Sequence, residues 1–193
     1  MYDQANYYIS PNYSKSQYKK LNLQINSDEN TWNQAIDMFR DRIENRFIKQ
    51  IDTLLNDVNT NGFIIMSIDC LLVDTFYQFK NGLDKSTNNS EKYPAFLLDS
   101  FNDVFDNVKL AEKFYKKIRC GILHSAQTKK GSCLTTEETY IIANKRGYMN
   151  VSVKGFTERL KKYFYSYVLE LTNPENIEIR TNFIKKMNFI CNK

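Results

Sequence analysis

Apolar side chains recur at steps of three and four along most of the chain, which is the spacing of one face of an α-helix. The clearest run begins at Trp32 and predicts a long amphipathic helix over about 30–58. The polar run 27–29 precedes it and suits the N-cap and first turn. Asn61-Gly62 is expected to end this helix, because glycine accepts the left-handed conformation at a helix C-terminus.

Residues 62–79 are apolar almost all round, which predicts a helix in the middle of a bundle. Asp69 and Asp74 interrupt this apolar surface. Burying a carboxylate costs free energy unless the carboxylate is paired. These two side chains are therefore expected to reach the edge of the bundle or to hold a cation such as an arginine. Structural pairing is the preferred interpretation, and a catalytic role is the alternative.

The second half of the chain predicts five further elements. A short helix is expected to open at Tyr93-Pro94, and a second helix follows over about 109–127. Two apolar runs within 139–153 flank a polar turn and predict a small β-hairpin. Helical spacing then resumes and continues, with a break at Asn173-Pro174, to the end of the chain.

These elements predict an all-α protein with a small β-hairpin insertion. Residues 1–26 are polar and rich in tyrosine, without a clear period, and are expected to form a loosely packed N-terminal arm. Residues 27–193 are expected to form a single helical domain, since 193 residues fit one domain with a sizeable core.

Composition narrows the function classes. The net charge of +5 permits a polyanionic partner, although solvation of an Asn- and Lys-rich surface explains it equally well. The four cysteines form no CxxC pair, and with a single histidine no zinc constellation exists, so no metal or other cofactor is expected. The cysteine pattern, the absence of a signal peptide and the shortness of the apolar stretch around 63–73 predict a cytoplasmic protein without a membrane partner.

The run 114–128 contains the only histidine of the chain, His124, five positions after Arg119. Histidine exchanges protons near neutral pH, and arginine binds phosphate oxygens through a fixed fork of donors. A proton-transfer group beside a phosphate-binding group is the minimal equipment for cleaving RNA without a metal. Taken without further knowledge, one His and one Arg on a helix are more often structural.

Two details favour the chemical interpretation. Gly121 lies between the two residues, and a mid-helix glycine costs roughly 1 kcal/mol against alanine, so it tends to mark close approach of another backbone. Five positions at about 100° each place Arg119 and His124 about 140° apart around the helix axis. We therefore expect a homodimer in which two copies of this helix pack together and build a joint site from both motifs.

The stretch Arg119-Cys-Gly-Ile-Leu-His124, late in a predicted bundle, resembles the Arg-x4-6-His signature of the HEPN superfamily. Many members of that superfamily are metal-independent ribonucleases in toxin–antitoxin, abortive-infection and CRISPR-linked defence systems. The runs 62–76 and 114–128 also resemble a group of bacterial HEPN-like proteins, over about residues 30–170. The resemblance implies a HEPN-like antiparallel helical bundle, and it maps the family's Arg and His onto Arg119 and His124.

By this resemblance the chain is expected to be a metal-independent endoribonuclease in bacterial defence or growth control, with RNA as substrate and an antitoxin or defence-system partner. His124 would act as general acid or base, and Arg119 would stabilise the charge on the phosphorane. Both residues are expected to be replaceable without unfolding the protein. The residues expected to follow the RNA backbone are Lys116, Lys117, Lys129 and Lys130, although these lysines equally well serve solubility.

The alternative is a non-catalytic HEPN dimer that binds a nucleotide, an RNA or a partner protein. Cys120 favours this alternative, because many active members have Asn, Asp or His directly after the arginine.

Overall fold

The computed structural model describes residues 7–85, 87–138, 140–145 and 147–192, and most of them are helical. The prediction of a mostly helical protein is confirmed. Within these residues the helices are α1 Lys15–Leu21, α2 Glu29–Ile43, α3 Lys49–Leu54, α4 Val58–Lys80, α5 Asn89–Ser100, α6 Val108–Phe114, α7 Cys120–Ser125, α8 Val153–Thr172 and α9 Ile177–Asn192. The strands are β1 Ser132–Thr135, β2 Ile142–Lys145 and β3 Tyr148–Ser152.

Helices α2, α3 and α4 follow one another as one helical run from residue 29 to residue 80. The predicted start is confirmed, because the side chain of Asp28 caps α2 and accepts the backbone N–H of Thr31 at 2.8 Å. A π-helical turn, Glu44–Ile48, links α2 to α3, and a 3₁₀ turn, Leu55–Asp57, links α3 to α4.

The predicted end of this run at Asn61-Gly62 is wrong. Gly62 lies inside α4 and has no positive φ, so it does not adopt the left-handed conformation of a C-terminal glycine. Ile51 and Ile65 are buried on either side of it, so the buried side of the helix continues through this position. Burial of that side outweighs the cost of about 1 kcal/mol that a glycine adds to a helix.

The helical run 29–80 contains an 18-residue window with a mean hydropathy of 1.4, which is long and apolar enough to cross a membrane by length and composition alone. It is the one such helix among the residues described. Half of the window is buried inside the protein. The core helices of water-soluble proteins meet the same criterion, so the helix fits a soluble protein.

The predicted hairpin is confirmed, and the structure adds a third strand. Strands β2 and β3 pair antiparallel, with Ile142 opposite Val151 and Lys145 opposite Tyr148. Strand β1 pairs parallel with β3, so the strand order is β1-β3-β2. Residues 139 and 146, within the predicted hairpin, lie outside the described residues. Strand β1 was not predicted, because four residues without a clear alternation of apolar and polar side chains give no period-2 signal.

The chain divides into two compact units. Unit 1 comprises 1–50, 78–85 and 164–193, and unit 2 comprises 51–77 and 86–163. Helices α4 and α8 contribute residues to both units. The single domain expected over 27–193 stays a prediction, because compactness does not show that either unit folds on its own.

Unit 1 is built around aromatic rings from α2, the end of α4, α8 and α9. The ring of Phe39 lies 4.5 Å from that of Phe79 and 5.6 Å from that of Phe183, between centroids. Helix α1 belongs to this unit, and its Tyr18 is buried. Residues 7–26 are therefore helical in part and packed, where the sequence predicts a loose arm. Residues 1–6 of that expected arm lie outside the described residues.

Unit 2 has its own aromatic core, which positions the site described below. Phe114 of α6 stacks on Phe156 of α8 at 5.0 Å, and Phe101 at the end of α5 stacks on Phe156 at 6.2 Å. The predicted opening of a helix at Tyr93-Pro94 is wrong, because α5 begins at Asn89 and Pro94 lies within it. Tyr93 and Pro94 are both buried, so tertiary packing holds this stretch in place.

Candidate functional site

Residues 108–125 form one helical segment of unit 2 and carry both residues of the predicted motif. The side chain of Asn107 caps the N-terminus by accepting a backbone N–H at 3.0 Å. A π-helical turn, Tyr115–Arg119, joins α6 to α7, and such turns are rare in helices and frequent at functional sites. The segment ends where Ala126 adopts the left-handed conformation, with φ at 49°. The predicted bounds, 109–127, agree to within two residues.

Arg119 lies on the inner side of this segment. Its guanidinium Nη2 donates to Asp74 Oδ2 of α4 at 3.4 Å, and only 13% of its side chain is exposed. Two tyrosine rings also face the guanidinium carbon, Tyr115 at 5.6 Å and Tyr93 at 6.0 Å from the ring centroids. Arg119 is thus enclosed by one carboxylate and two aromatic rings, an arrangement that fixes its position.

The surroundings of Arg119 keep it charged. Burial by itself opposes the charge, but the Asp74 carboxylate and the Tyr115 hydroxyl outweigh it and raise the pKa of Arg119 above its usual value. The Nε–H of Arg119 is buried and has no hydrogen-bond acceptor among the described residues. Arg119 therefore contributes a largely buried ion pair to unit 2, and the expectation that it can be replaced without unfolding the protein stays a prediction.

The two aspartates of α4 have different partners. The prediction that a buried carboxylate pairs with an arginine is confirmed for Asp74. Asp69, one and a half turns earlier, has no arginine or lysine in hydrogen-bond contact among the described residues, and its one hydrogen-bond partner there is the Thr157 hydroxyl at 2.7 Å. Asp69 is fully buried, so it does not reach an edge of the bundle.

Gly121 makes the close backbone contact that its place in the motif predicts, but the contacting backbone belongs to the same chain. A Cβ atom at Gly121 would lie 2.6 Å from the Gln127 carbonyl oxygen and 3.1 Å from the Lys129 nitrogen. The loop after α7 therefore folds back over the glycine. Gly121 no longer supports a partner helix at this point, and the homodimer stays a prediction that rests on the angular offset of the motif.

His124 lies on the last turn of α7 and is exposed. It makes no hydrogen bond, ion pair or ring contact with any residue in the described part of the chain. Arg119 faces inward at the same time, so one chain does not bring Arg119 and His124 together. This separation agrees with the expectation that one helix does not direct both side chains to one point.

The four predicted substrate-binding lysines fall into two groups. Lys117 Nζ donates to the Lys130 carbonyl at 2.8 Å, and the Lys129 backbone N–H donates to the Lys117 carbonyl at 2.9 Å. The fold thereby brings Lys117, Lys129 and Lys130 together. Lys116 pairs instead with Glu112 at 3.3 Å, and both side chains are largely exposed. Such an exposed pair contributes little to stability and leaves the ammonium group accessible.

The charge of the whole chain is concentrated in this region. Residues 108–130 contain seven Lys or Arg and one Glu, which is a net charge of +6 with His124 neutral. The complete chain carries +5, so the remaining residues together carry −1. A local excess of this size attracts polyanions over distances of the order of the Debye length.

The two aromatic rings that face Arg119 were not among the predicted site residues. Tyr115 lies four positions before Arg119, and this helical spacing is a signal that was available. Tyr93 lies on α5, and nothing in the sequence links it to Arg119.

Within the described residues no three His, Cys, Asp or Glu side chains are grouped so that they could hold a metal ion. Comparisons with protein-family models, with characterised proteins and with solved structures find no match to this chain.

Proposed function

We propose that this chain is a metal-independent endoribonuclease of the HEPN type, which acts in the cytoplasm in bacterial defence or toxin–antitoxin growth control. One observation carries the proposal. The only histidine of the chain is exposed within the region 108–130, which carries the net positive charge of the molecule, and its side chain makes no hydrogen bond, ion pair or ring contact with other described residues. A proton-transfer group beside a polycationic surface suits a substrate whose backbone is a chain of phosphates.

In the proposed reaction, His124 removes the proton from a ribose 2′-hydroxyl or returns one to the leaving oxygen. The 2′-oxygen bonds to the adjacent phosphorus, and the bond from phosphorus to the 5′-oxygen breaks. The products are a 2′,3′-cyclic phosphate and a 5′-hydroxyl. Arg119 stabilises the negative charge that develops on the phosphorane. Lys116, Lys117, Lys129 and Lys130 hold the phosphates on either side.

The proposal requires two chains, because Arg119 and His124 of one chain face different ways. In the proposed homodimer, Arg119 of one protomer and His124 of the other line the same site across a two-fold axis. The Asp74 carboxylate holds Arg119 in place before RNA binds, so its position does not have to be organised during the reaction.

The direct test is cleavage of mixed RNA in the presence of EDTA. The wild-type protein is expected to cleave, and His124→Ala is expected to lose roughly 10²- to 10⁴-fold in rate. Because the His124 side chain makes no hydrogen bond, ion pair or ring contact with other described residues, the variant should unfold at about the same temperature as the wild type. Cleavage that is unchanged in His124→Ala, or that disappears with EDTA, contradicts the proposal.

Complementation tests the joint site. His124→Ala and Arg119→Gln are each expected to be inactive alone, and Arg119→Gln keeps a polar side chain beside Asp74. When the two variants are co-expressed, half of the dimers contain one copy of each variant. Each of these mixed dimers has one intact site out of two, so about a quarter of the wild-type rate should return. No recovery, or a monomer by light scattering at micromolar concentration, contradicts the shared site.

One observation favours the alternative, a non-catalytic HEPN dimer that binds a nucleotide, RNA or partner protein. The Arg119 charge is already compensated by Asp74, which lessens its attraction for a phosphate. In that case the RNA assay with EDTA yields intact RNA, while filter retention still shows salt-dependent binding.

A further inference from the structure

Asp69 is a carboxyl group in the interior of unit 2 with too few partners for a charge. The residue is fully buried in α4. Its Oδ2 contacts the Thr157 hydroxyl of α8 at 2.7 Å, and its Oδ1 has no hydrogen-bond partner among the described residues. An ionised carboxylate in a protein interior needs a cation or several donors, and one neutral hydroxyl is a poor substitute.

Lys161 attracts a negative charge on Asp69 but does not compensate it, because two other carboxylates hold the Lys161 ammonium group. Lys161 of α8 contacts Asp52 Oδ1 of α3 at 2.5 Å and Glu158 Oε1 at 2.8 Å. If Asp69 were ionised, three carboxylates would share one ammonium group. Glu158 repels a charge on Asp69, and Lys161 attracts it from a longer distance. On its own helix Asp69 is followed by Cys70, whose pKa burial raises to about 12, so the thiol adds no charge.

We infer that Asp69 is held as the neutral acid between α4 and α8, and that its ionisation loosens the contact between these helices within unit 2. The neutral acid fits the observed geometry, since a protonated Oδ2 donates to the Thr157 oxygen across the 2.7 Å contact. The ionised form places a buried negative charge near the carboxylate of Glu158, which follows Thr157 on α8 and repels that charge. The packing of α4 on α8 in unit 2 is thus sensitive to pH.

The titration of the group gives the pH window. Burial raises the pKa of Asp69 to about 7, against the opposing effects of Thr157 and Lys161. In the unfolded chain an aspartate titrates near pH 3.9. Between these two values the folded state binds the proton and the unfolded state does not, so stability falls as the pH rises from about 4 to about 7. Above pH 7 the folded protein ionises too, stability levels off, and the helix contact opens locally.

The test measures the carboxyl group directly. The ¹³C carboxyl resonances of aspartate side chains are followed by NMR in the wild-type protein from pH 5 to pH 8.5. One resonance is expected to titrate with a midpoint near 7 and to be missing from the spectrum of Asp69→Asn. If every aspartate of the wild type is already ionised at pH 5.5, the inference is overturned.

A stability measurement adds a second readout. Asparagine keeps the shape of the side chain and does not ionise, so the melting temperature of Asp69→Asn should rise relative to wild type by about 5–10 °C between pH 4.5 and pH 7.5. The matched control is Asp74→Asn on the same helix, which removes the partner of Arg119 and should give no such gain. A difference between Asp69→Asn and wild type that is independent of pH overturns the inference.

Hydrogen exchange of the backbone amides of residues 153–161 measures the local opening of the helix contact. Above pH 7.5 these amides should exchange faster in the wild type than in Asp69→Asn at the same pH, where intrinsic exchange is equal. Equal protection in both proteins shows that ionisation does not loosen the helix contact, and overturns that part of the inference.

Discussion

The inner and outer sides of the 108–125 segment give the two motif residues opposite environments. On the inner side, Arg119 is enclosed by Asp74, Tyr93 and Tyr115, and little of it reaches solvent. On the outer side, His124 is exposed beside a loop that carries two lysines. An ion pair and two ring contacts hold Arg119, whereas the His124 side chain makes no contact of these kinds with the described residues. A motif of two residues thus combines a structural anchor with a group that is free to react, and substitutions should separate the two.

The largest expected effect on stability is that of Arg119→Ala. Removing the guanidinium leaves Asp74 without its cation, and breaking a fully buried ion pair costs roughly 3–5 kcal/mol. Because 13% and 20% of the two side chains are exposed, solvent screens part of the loss. We expect the free energy of unfolding to fall by about 2–3 kcal/mol, measured by urea denaturation.

His124→Ala is the matched comparison and should leave the free energy of unfolding within about 0.5 kcal/mol of wild type. Equal losses in the two variants would mean that both residues brace the fold, and the contrast between the two sides would disappear.

The next effect is that of Gly121→Ala, where the loop 127–129 covers the helix. The new Cβ would lie 2.6 Å from the Gln127 carbonyl oxygen, which forces backbone to move. Overpacking of this kind costs about 1–3 kcal/mol, which thermal or urea unfolding would detect. The control is Gly62→Ala, also within a helix, whose Cβ would meet Val153 Cγ2 at an ordinary 3.4 Å.

Gly62→Ala should stabilise the protein by up to about 1 kcal/mol, because alanine is the better helix former and space is available. The two glycine variants are therefore expected to change stability in opposite directions. A Gly121→Ala protein as stable as wild type would show that the loop does not pack on the helix.

The smallest effect on folding is expected on the outer side. Replacing Lys129 and Lys130 together by glutamine should leave unfolding within about 0.5 kcal/mol of wild type. If each lysine contacts one phosphate, the slope of log affinity for single-stranded RNA against log salt should become shallower by about 1.4. The charge-matched control is the exposed pair Lys19 and Lys20 of unit 1. An equal change of slope in the control would mean that RNA binding does not depend on the motif region.

Local sequence signals predicted the helices well and their ends less well. The Asp28 cap and the break before Asn173 were found because each depends on one residue and its neighbours. The end predicted at Gly62 was wrong, since the effect of a glycine on a helix depends on whether the residues before and after it in the chain are buried. Strand β1 was missed because its partner β3 lies 17 positions further along the chain, and only that pairing makes it a strand.

For the candidate site too, local features could be predicted from the sequence, and contacts between distant parts of the chain could not. The spacing of Arg119 and His124 is readable from the chain, as is the unusual Gly121 between them. The sequence does not reveal which backbone approaches Gly121, and here the loop 127–129 replaces the expected partner helix. Nor does it show that Tyr93 faces Arg119, since the two residues are 26 positions apart and meet only through the packing of α5 on the π-helical turn.

The π-helical turn Tyr115–Arg119 also determines which changes of chain length the motif tolerates. A π turn holds about one residue more than an α turn, so deleting one residue there would restore a regular α-helix. Because one turn is completed in either case, everything after the deletion would keep its direction relative to α6. Ile122 would stay buried and His124 would stay exposed. A deletion of one residue within α7 itself would instead turn every later residue by about 100°, so the π turn is the one place in this segment where the chain can lose a residue without redirecting the histidine.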